Sequence, residues 1–157
     1  MEFRLEQRFA TPLGVVEDAL LDPSFAVHLR THPQLVAEER DGSVVRRSVR
    51  HTFVGELSGA VTAVVDPAKL TWVDVGVHDL ETHRSTHHIV PDHYGSRLTC
   101  EYQTVLVADG DRTTRVITGA LRVHMPLVGG RVERAIVSGL AEHAEQEETA
   151  LAEWLAS

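Results

Sequence analysis

Five histidines, His78, His83, His87, His88 and His93, fall within sixteen positions of a 157-residue chain that holds ten in all. Imidazoles ligate metals and move protons near neutral pH, so the cluster poses a choice between a metal centre and acid–base chemistry. Spacing argues against the metal. The segments around these residues alternate like strands, and on a strand His83 and His87 lie about 13 Å apart, too far to share one ion. A hairpin turning at Leu80-Glu81 sets His78 opposite His83 and supplies two ligands with no third at that level. Neither a metal nor a cofactor is expected. The same register pairs Asp74 with His87, Gly76 with Ser85 and Trp72 with Ile89. A carboxylate beside an imidazole can hold one ring tautomer, as a general base requires. On a wet face the same pair is only a cross-strand contact of about 0.2–1 kcal/mol.

Neighbouring segments add candidates. Val45, Arg47, Val49, His51 and Phe53 alternate along one, and Leu98, Cys100, Tyr102, Thr104 and Leu106 along another. Tyr102 with Arg47 or His51 could fix a carboxylate or carbonyl, although a tyrosine also simply packs its ring and bonds backbone. Cys100 lacks an evident base partner and reads as core filler. Which face of the 70–90 hairpin looks inward decides the site. Val73, Val75 and Val77 argue for one face, Trp72 opposite Ile89 for the other, and the bulk of the tryptophan tips the balance. The expected ligand-binding set is then an apolar wall of Trp72, Ile89 and Leu98 with polar groups from His78, His83, His87, Tyr102, His51 and Arg47.

The elements that must position these residues read off periodicity. Phe3, Leu5, Gln7 and Phe9 share one face of a first strand. Thr11-Pro12 opens a helix, the threonine placed to cap and the proline to hold a helical φ. Asp22-Pro23 breaks it, and Phe25 to Leu29 supplies a second short piece. Leu35–Arg40 and Val44–Val54 form a hairpin about Asp41-Gly42, a dipeptide tolerant of positive φ. Gly55 to Ala68 reads as a loop with a helical turn. Leu70–His78, His83–Val90, Leu98–Val107 and Thr113–His124 complete seven strands. Met125-Pro126-Leu127-Val128-Gly129-Gly130 then stops the last strand. Val132, Ile136, Leu140, Ala144, Leu151 and Leu155 trace the stripe of a terminal helix, roughly 39 Å long at 1.5 Å per residue. Glu142, Glu145, Glu147, Glu148 and Glu153 crowd its C-terminal half against the macrodipole, with no function evident.

Composition bounds the partners. The chain has the length of a single domain, 1–157, able to fold without staples. The lone Cys100, the lack of a signal-like start and the lack of any membrane-spanning run make the cytoplasm the expected compartment. A net charge of −8 with one lysine argues against nucleic acid, and Arg46, Arg47 and Arg50 read as a solvated strand face. A monomer or a homodimer fits equally.

Strands, two short helices and one long closing helix make an α+β domain in which a curved antiparallel sheet wraps the helix. That order resembles the helix-grip fold of the START and Bet v-like (polyketide cyclase and lipid transport) superfamily. Within it the chain is similar to a bacterial family termed domain of unknown function 2505. The resemblance is carried by Leu70-Thr71-Trp72-Val73-Asp74-Val75 with His78-Asp79, by Ile89-Val90-Pro91, and by Pro126-Leu127-Val128-Gly129-Gly130-Arg131-Val132-Glu133 with Trp154-Leu155. It covers nearly the whole chain. It implies a scaffold that binds sterols, lipids, polyketides or hormones and sometimes cyclises them, but carries over no catalytic residue. The expected function is the binding of a small hydrophobic or amphipathic molecule between sheet and terminal helix. The alternatives are an aromatase or cyclase using Asp74, His87 and Tyr102 for proton transfer, and a protein-interaction module whose cavity is filled by its own side chains.

Overall fold

The computed structural model describes residues 1–157. Seven strands, β1 Glu2–Phe9, β2 Gln34–Asp41, β3 Val44–Thr52, β4 Thr71–Asp79, β5 Arg84–Pro91, β6 Leu98–Asp109 and β7 Arg112–Val123, form one antiparallel sheet in the order β1-β7-β6-β5-β4-β3-β2. The helices α1 Leu13–Leu20 and α2 Pro23–Ala26 follow β1, α3 Gly59–Thr62 lies between β3 and β4, and α4 Gly129–Ala156 closes the chain. This is the helix-grip arrangement, with α4 packed most closely on β1 and β7.

Turn chemistry sets the hairpins. Gly42 and Gly110 take positive φ of 61° and 59° in two tight connections, as such turns demand. The β4–β5 connection differs from the expected one. Asp79 pairs with Arg84 around a four-residue turn, so Trp72 faces Pro91, Asp74 faces Ile89, Gly76 faces His87 and His78 faces Ser85. The register is displaced by two residues from a turn at Leu80-Glu81. Because side chains alternate with period two, a slip of two changes every partner and leaves every face intact. His83 stands in the turn with φ 58° instead of opposite His78. The expected threonine cap is also corrected: Pro12 occupies the N-cap of α1, which has no side-chain cap, while the Thr11 carbonyl accepts from Thr113 Oγ1 at 2.7 Å. Asp22 does cap α2, accepting from the Ser24 N–H at 2.8 Å.

The junction before α4 is tightly built. Gly129 lies so close to β7 that a Cβ there would sit 2.5 Å from the Val123 carbonyl oxygen. Glu133, one turn into the helix, accepts from the Val123 N–H at 3.0 Å and lies 3.6 Å from the N-terminal amine.

Packing along α4 is discontinuous. Its first turns, at Val132 and Ile136, close over Phe53, Val61, Val65, Leu70, Cys100, Leu121 and Val123. Its last turns, at Ala150 and Leu151, close over Phe9, Val16, Ala19, Phe25 and Leu29. Two apolar cores thus pin the two ends of the helix, and between them Gly139, Leu140, His143, Ala144 and Glu147 face a cavity of about 230 Å³. That space is not filled by the chain's own side chains. No helix is long and apolar enough to cross a membrane.

Candidate functional site

The cavity floor is the inner face of the sheet. Its central row runs Arg47, Gly76, His87, Tyr102, Gly119 and Phe3 across β3, β4, β5, β6, β7 and β1. The glycines make room for the rings. A Cβ on Gly76 would lie 2.7 Å from the His87 ring, and one on Gly119 would lie 2.5 Å from Tyr102 Cβ. His87 and Tyr102 therefore lie flat on each other, centroids 4.3 Å apart and planes 4° from parallel. His78 meets His87 edge-on at 5.1 Å. Towards the other end of the strands, His51 stacks on Trp72 at 5.9 Å, and Ile89, Leu98 and Cys100 continue an apolar wall.

Asp74 binds the two stacked rings together. One carboxylate oxygen takes His87 Nδ1–H at 2.8 Å, and the other takes the Tyr102 hydroxyl. Burial pushes the Asp74 carboxyl up, but the bond and charge of His87 and the Tyr102 hydroxyl outweigh it and hold the group below the usual carboxylate range. Burial, then the charge and the hydrogen bond of Asp74, push the Tyr102 hydroxyl well above its ordinary value. His78 is pushed down to about 3, first by burial and then by the charges of His87 and Arg115, and burial likewise lowers His51. His51 and His78 are thus neutral at neutral pH.

Ser85 completes an unexpected geometry. Its Oγ lies 2.7 Å from His87 Nε2. With the Asp74 contact this sets serine, histidine and aspartate at the spacings of a nucleophilic triad. The serine is not placed to attack anything. It is 4% exposed, lies outside the cavity lining and is closed on its other side by Thr104 Oγ1. A nucleophile must reach substrate and have oxyanion donors beside it. Ser85 instead fixes the His87 ring, so that both imidazole nitrogens are spent on the protein.

A second polar group ties α4 to the sheet. Arg115 donates to Glu147 at 2.9 Å and to Gln7 Oε1 at 3.2 Å, and Gln7 Nε2 donates to Glu147 and to the Ala144 carbonyl, each at 2.9 Å. Burial raises the Glu147 carboxyl, but Arg115 foremost, then His143 and Gln7, pull it below its ordinary value. Arg47 leans the opposite way, its Nε 3.3 Å from Glu38 and its Nη1 donating to the Leu20 carbonyl.

Of the residues singled out in the sequence, Trp72, His78, His87, Ile89, Leu98, Tyr102, His51 and Arg47 line this one cavity. His83 does not. Its turn position carries it to the surface, where Nδ1 meets Glu17 of α1 at 3.0 Å with 37% of the side chain exposed. His88 and His93 are exposed as well. Sequence reasoning does not place Arg115, Glu147, Gln7 or His143 in the site. The signal is nevertheless present: Gln7 and Arg115 interrupt the apolar faces of their strands, and Glu147 sits on the helix stripe between Ala144 and Leu151. A polar residue at a core position announces a buried partner.

Solved structures share the fold. A protein from Thermus thermophilus superposes with a TM-score of 0.67 at 20% identity, covering 98% of this chain and 95% of that one. The Zhui aromatase/cyclase of a Streptomyces species gives 0.65 at 13% identity, covering 96% and 90%. A START superfamily protein from Mycobacterium smegmatis gives 0.62 at 15%, covering 98% of both. At these identities the likeness establishes the fold. No curated protein matches the sequence. The profile described as protein of unknown function (DUF2505) matches residues 4–155, and the chain belongs to that family.

Proposed function

We propose that this protein binds one compact amphipathic molecule in the cavity beneath α4. The observation that carries the reading is the break between the two cores: α4 is anchored at both ends, and its middle turns leave about 230 Å³ over a floor that is apolar at Trp72, Ile89 and Leu98 and polar at Asp74, His78 and Tyr102. Ligand pockets commonly span about 300–1,000 Å³, so this one suits a molecule of one or two rings or a short chain better than a two-tailed lipid. Burial of apolar surface at about 25 cal/mol per Å² supplies the affinity. The free ring nitrogens of neutral His78 and the second lone pairs of Asp74 and Tyr102 supply orientation.

Native mass spectrometry of protein purified from its own host, set against solvent-extracted protein, tests this directly. A released small molecule is expected. Apo mass alone, with no thermal shift across a panel of small aromatic, polyketide-like and short-chain compounds, would overturn it.

An aromatase or cyclase reading draws on the scaffold of the Streptomyces neighbour and on the Asp74, His87 and Tyr102 trio. The geometry favours binding. His87 has no free nitrogen to offer a substrate, and Tyr102 holds its proton too firmly to be a ready acid. Turnover abolished by His87→Ala would speak for the enzyme, and weakened binding alone for the pocket.

A further inference from the structure

The polar atoms that the fold leaves unpaired point to what the ligand carries, given the binding reading above. Three buried side-chain atoms have no hydrogen-bond partner, Thr31 Oγ1, Arg47 Nε and His143 Nδ1. All three residues line the cavity. Buried polar groups are nearly always bonded, so three orphans around one cavity call for a common partner. Arg47 is not short of charge. Its Nε lies 3.3 Å from Glu38 without the geometry of a hydrogen bond, and its Nη1 donates to the Leu20 carbonyl. An anion would find this guanidinium already balanced, with Asp22 in the same lining to oppose it. Hydrogen bonding is what the three atoms lack.

They stand where β3, α4 and the segment after α2 meet. The Arg30 N–H donates to Gln146 Oε1, and Gln146 Nε2 donates to the His28 carbonyl, each at 3.2 Å. These bonds hold the segment leading to Thr31 against α4, one turn from His143. The His143 ring stands edge-on to His51 at 6.5 Å, and His51 stacks on Trp72. Arg47 and His51 line the cavity from the same strand. The apolar wall at Trp72 therefore leads to the unpaired atoms. An oxygen can accept from Arg47 Nε–H and from the Thr31 hydroxyl, and an oxygen that is itself a hydroxyl can also donate to His143. We propose that this edge of the cavity is a subsite for an uncharged oxygen function, a hydroxyl or a carbonyl, on a molecule whose apolar body lies along Trp72. The three atoms are shut off from solvent in the empty protein, so the oxygen is met by rotation of Thr31 about χ1 and of the His143 ring about χ2.

Three ligands of one skeleton separate this subsite from the reading beneath it. Propylbenzene, 3-phenylpropanol and 3-phenylpropanoate would be titrated calorimetrically at neutral pH into wild type, Thr31→Val and His143→Leu, and each empty protein would be melted. Thr31→Val keeps the side-chain shape and removes an unpaired hydroxyl, so the empty variant is expected to melt no lower than wild type. Its affinity for the alcohol is expected to fall by about fivefold or more, while that for propylbenzene stays within about twofold. His143→Leu is expected to show the same contrast between the two ligands. In wild type the carboxylate is expected to bind no more tightly than the alcohol. Equal losses for alcohol and hydrocarbon, no loss for the alcohol in either variant, or a carboxylate that binds more tightly than the alcohol overturns the oxygen subsite and leaves the binding pocket standing. A Thr31→Val protein that melts lower or fails to fold shows that the hydroxyl serves the fold, which overturns the subsite as well. Saturation of the wild type by none of the three overturns both the subsite and the binding reading.

Discussion

At Gly76 one hydrogen atom determines where the His87 ring can lie. The ring occupies the space a Cβ would need, and it cannot retreat without giving up either the 2.8 Å bond to Asp74 or the 2.7 Å contact with Ser85. Gly76→Ala is therefore expected to destabilise the fold by about 1–3 kcal/mol, the usual range for overpacking. The near-parallel stack of His87 on Tyr102 should be lost with it, which a shift of the Tyr102 ring resonances would report; an unmoved stack would show the floor to be softer than argued. His78 tests burial by titration. Its folded value of about 3 lies below the ordinary 6.5, so between these values the unfolded chain binds a proton that the folded protein refuses. Stability then falls as pH drops through that window, by at most about 1.4 kcal/mol per unit from this group. Asp74 and Glu147, both held low, add stability that is present above the ordinary carboxylate range and is lost in stronger acid. Urea unfolding across the window should show a shallower slope in His78→Gln than in wild type, and equal slopes would remove burial of His78 as the cause. The site is partly legible at this scale. Asp74 and His87 pair in the sequence pattern and do meet, but as diagonal rather than opposite neighbours, because the four-residue turn displaces the register by two and the His87 ring then reaches Asp74 by leaning over Gly76, which alternation cannot reveal.

Among the elements, α4 carries the conflict between packing and charge. Glutamates crowd its C-terminal half, where the macrodipole opposes them. Glu147 is the one with an evident role, held in the interior by Arg115 and Gln7 so that it joins α4 to β1 and β7 midway between the two apolar cores. Arg115→Leu should cost about 3–5 kcal/mol by stranding that carboxylate, while Arg115→Leu with Glu147→Leu should recover most of the loss, as paired urea titrations would measure. A double variant no more stable than the single one would mean that the polar contacts themselves fasten the helix. Strand and helix identities are readable because period two and period 3.6 are written in the apolar pattern, and the β7–α4 junction announces itself through Pro126 and Gly129. Turn length is not. The β4–β5 loop contains Thr82 and His83 where no Gly, Asn or Pro punctuates it. His83 takes its positive φ with its ring against Glu17 of α1, a tertiary contact that local sequence does not encode.

For the whole molecule, a sheet of seven strands is wider than one helix can cover. β2 accordingly lies exposed along all eight of its residues, and α4 settles over the β1–β7 side with an apolar core at each end. The cavity is the consequence of that mismatch, since the middle of the helix crosses the concavity and meets the β3 side only where Gly139 packs on Phe53 and His143 stands edge-on to His51 at 6.5 Å. If the space is kept for a ligand, filling it should separate stability from binding. Val49 lines the cavity on β3 directly across from Asp74 and is only partly buried, so a larger side chain there has the void to enter. Val49→Trp is expected to leave the melting temperature of the empty protein unchanged or raised, because new apolar contacts replace none. A ligand present at 100 times its Kd stabilises the wild type by about 2.7 kcal/mol, a rise of about 5–11 °C for a chain of this size, and in Val49→Trp that rise should vanish. Thermal unfolding with and without the molecule released from protein purified from its own host measures both quantities. A variant that keeps the full shift would place the ligand outside the cavity, and one that loses about ten degrees when empty would show that the void is required by the fold itself.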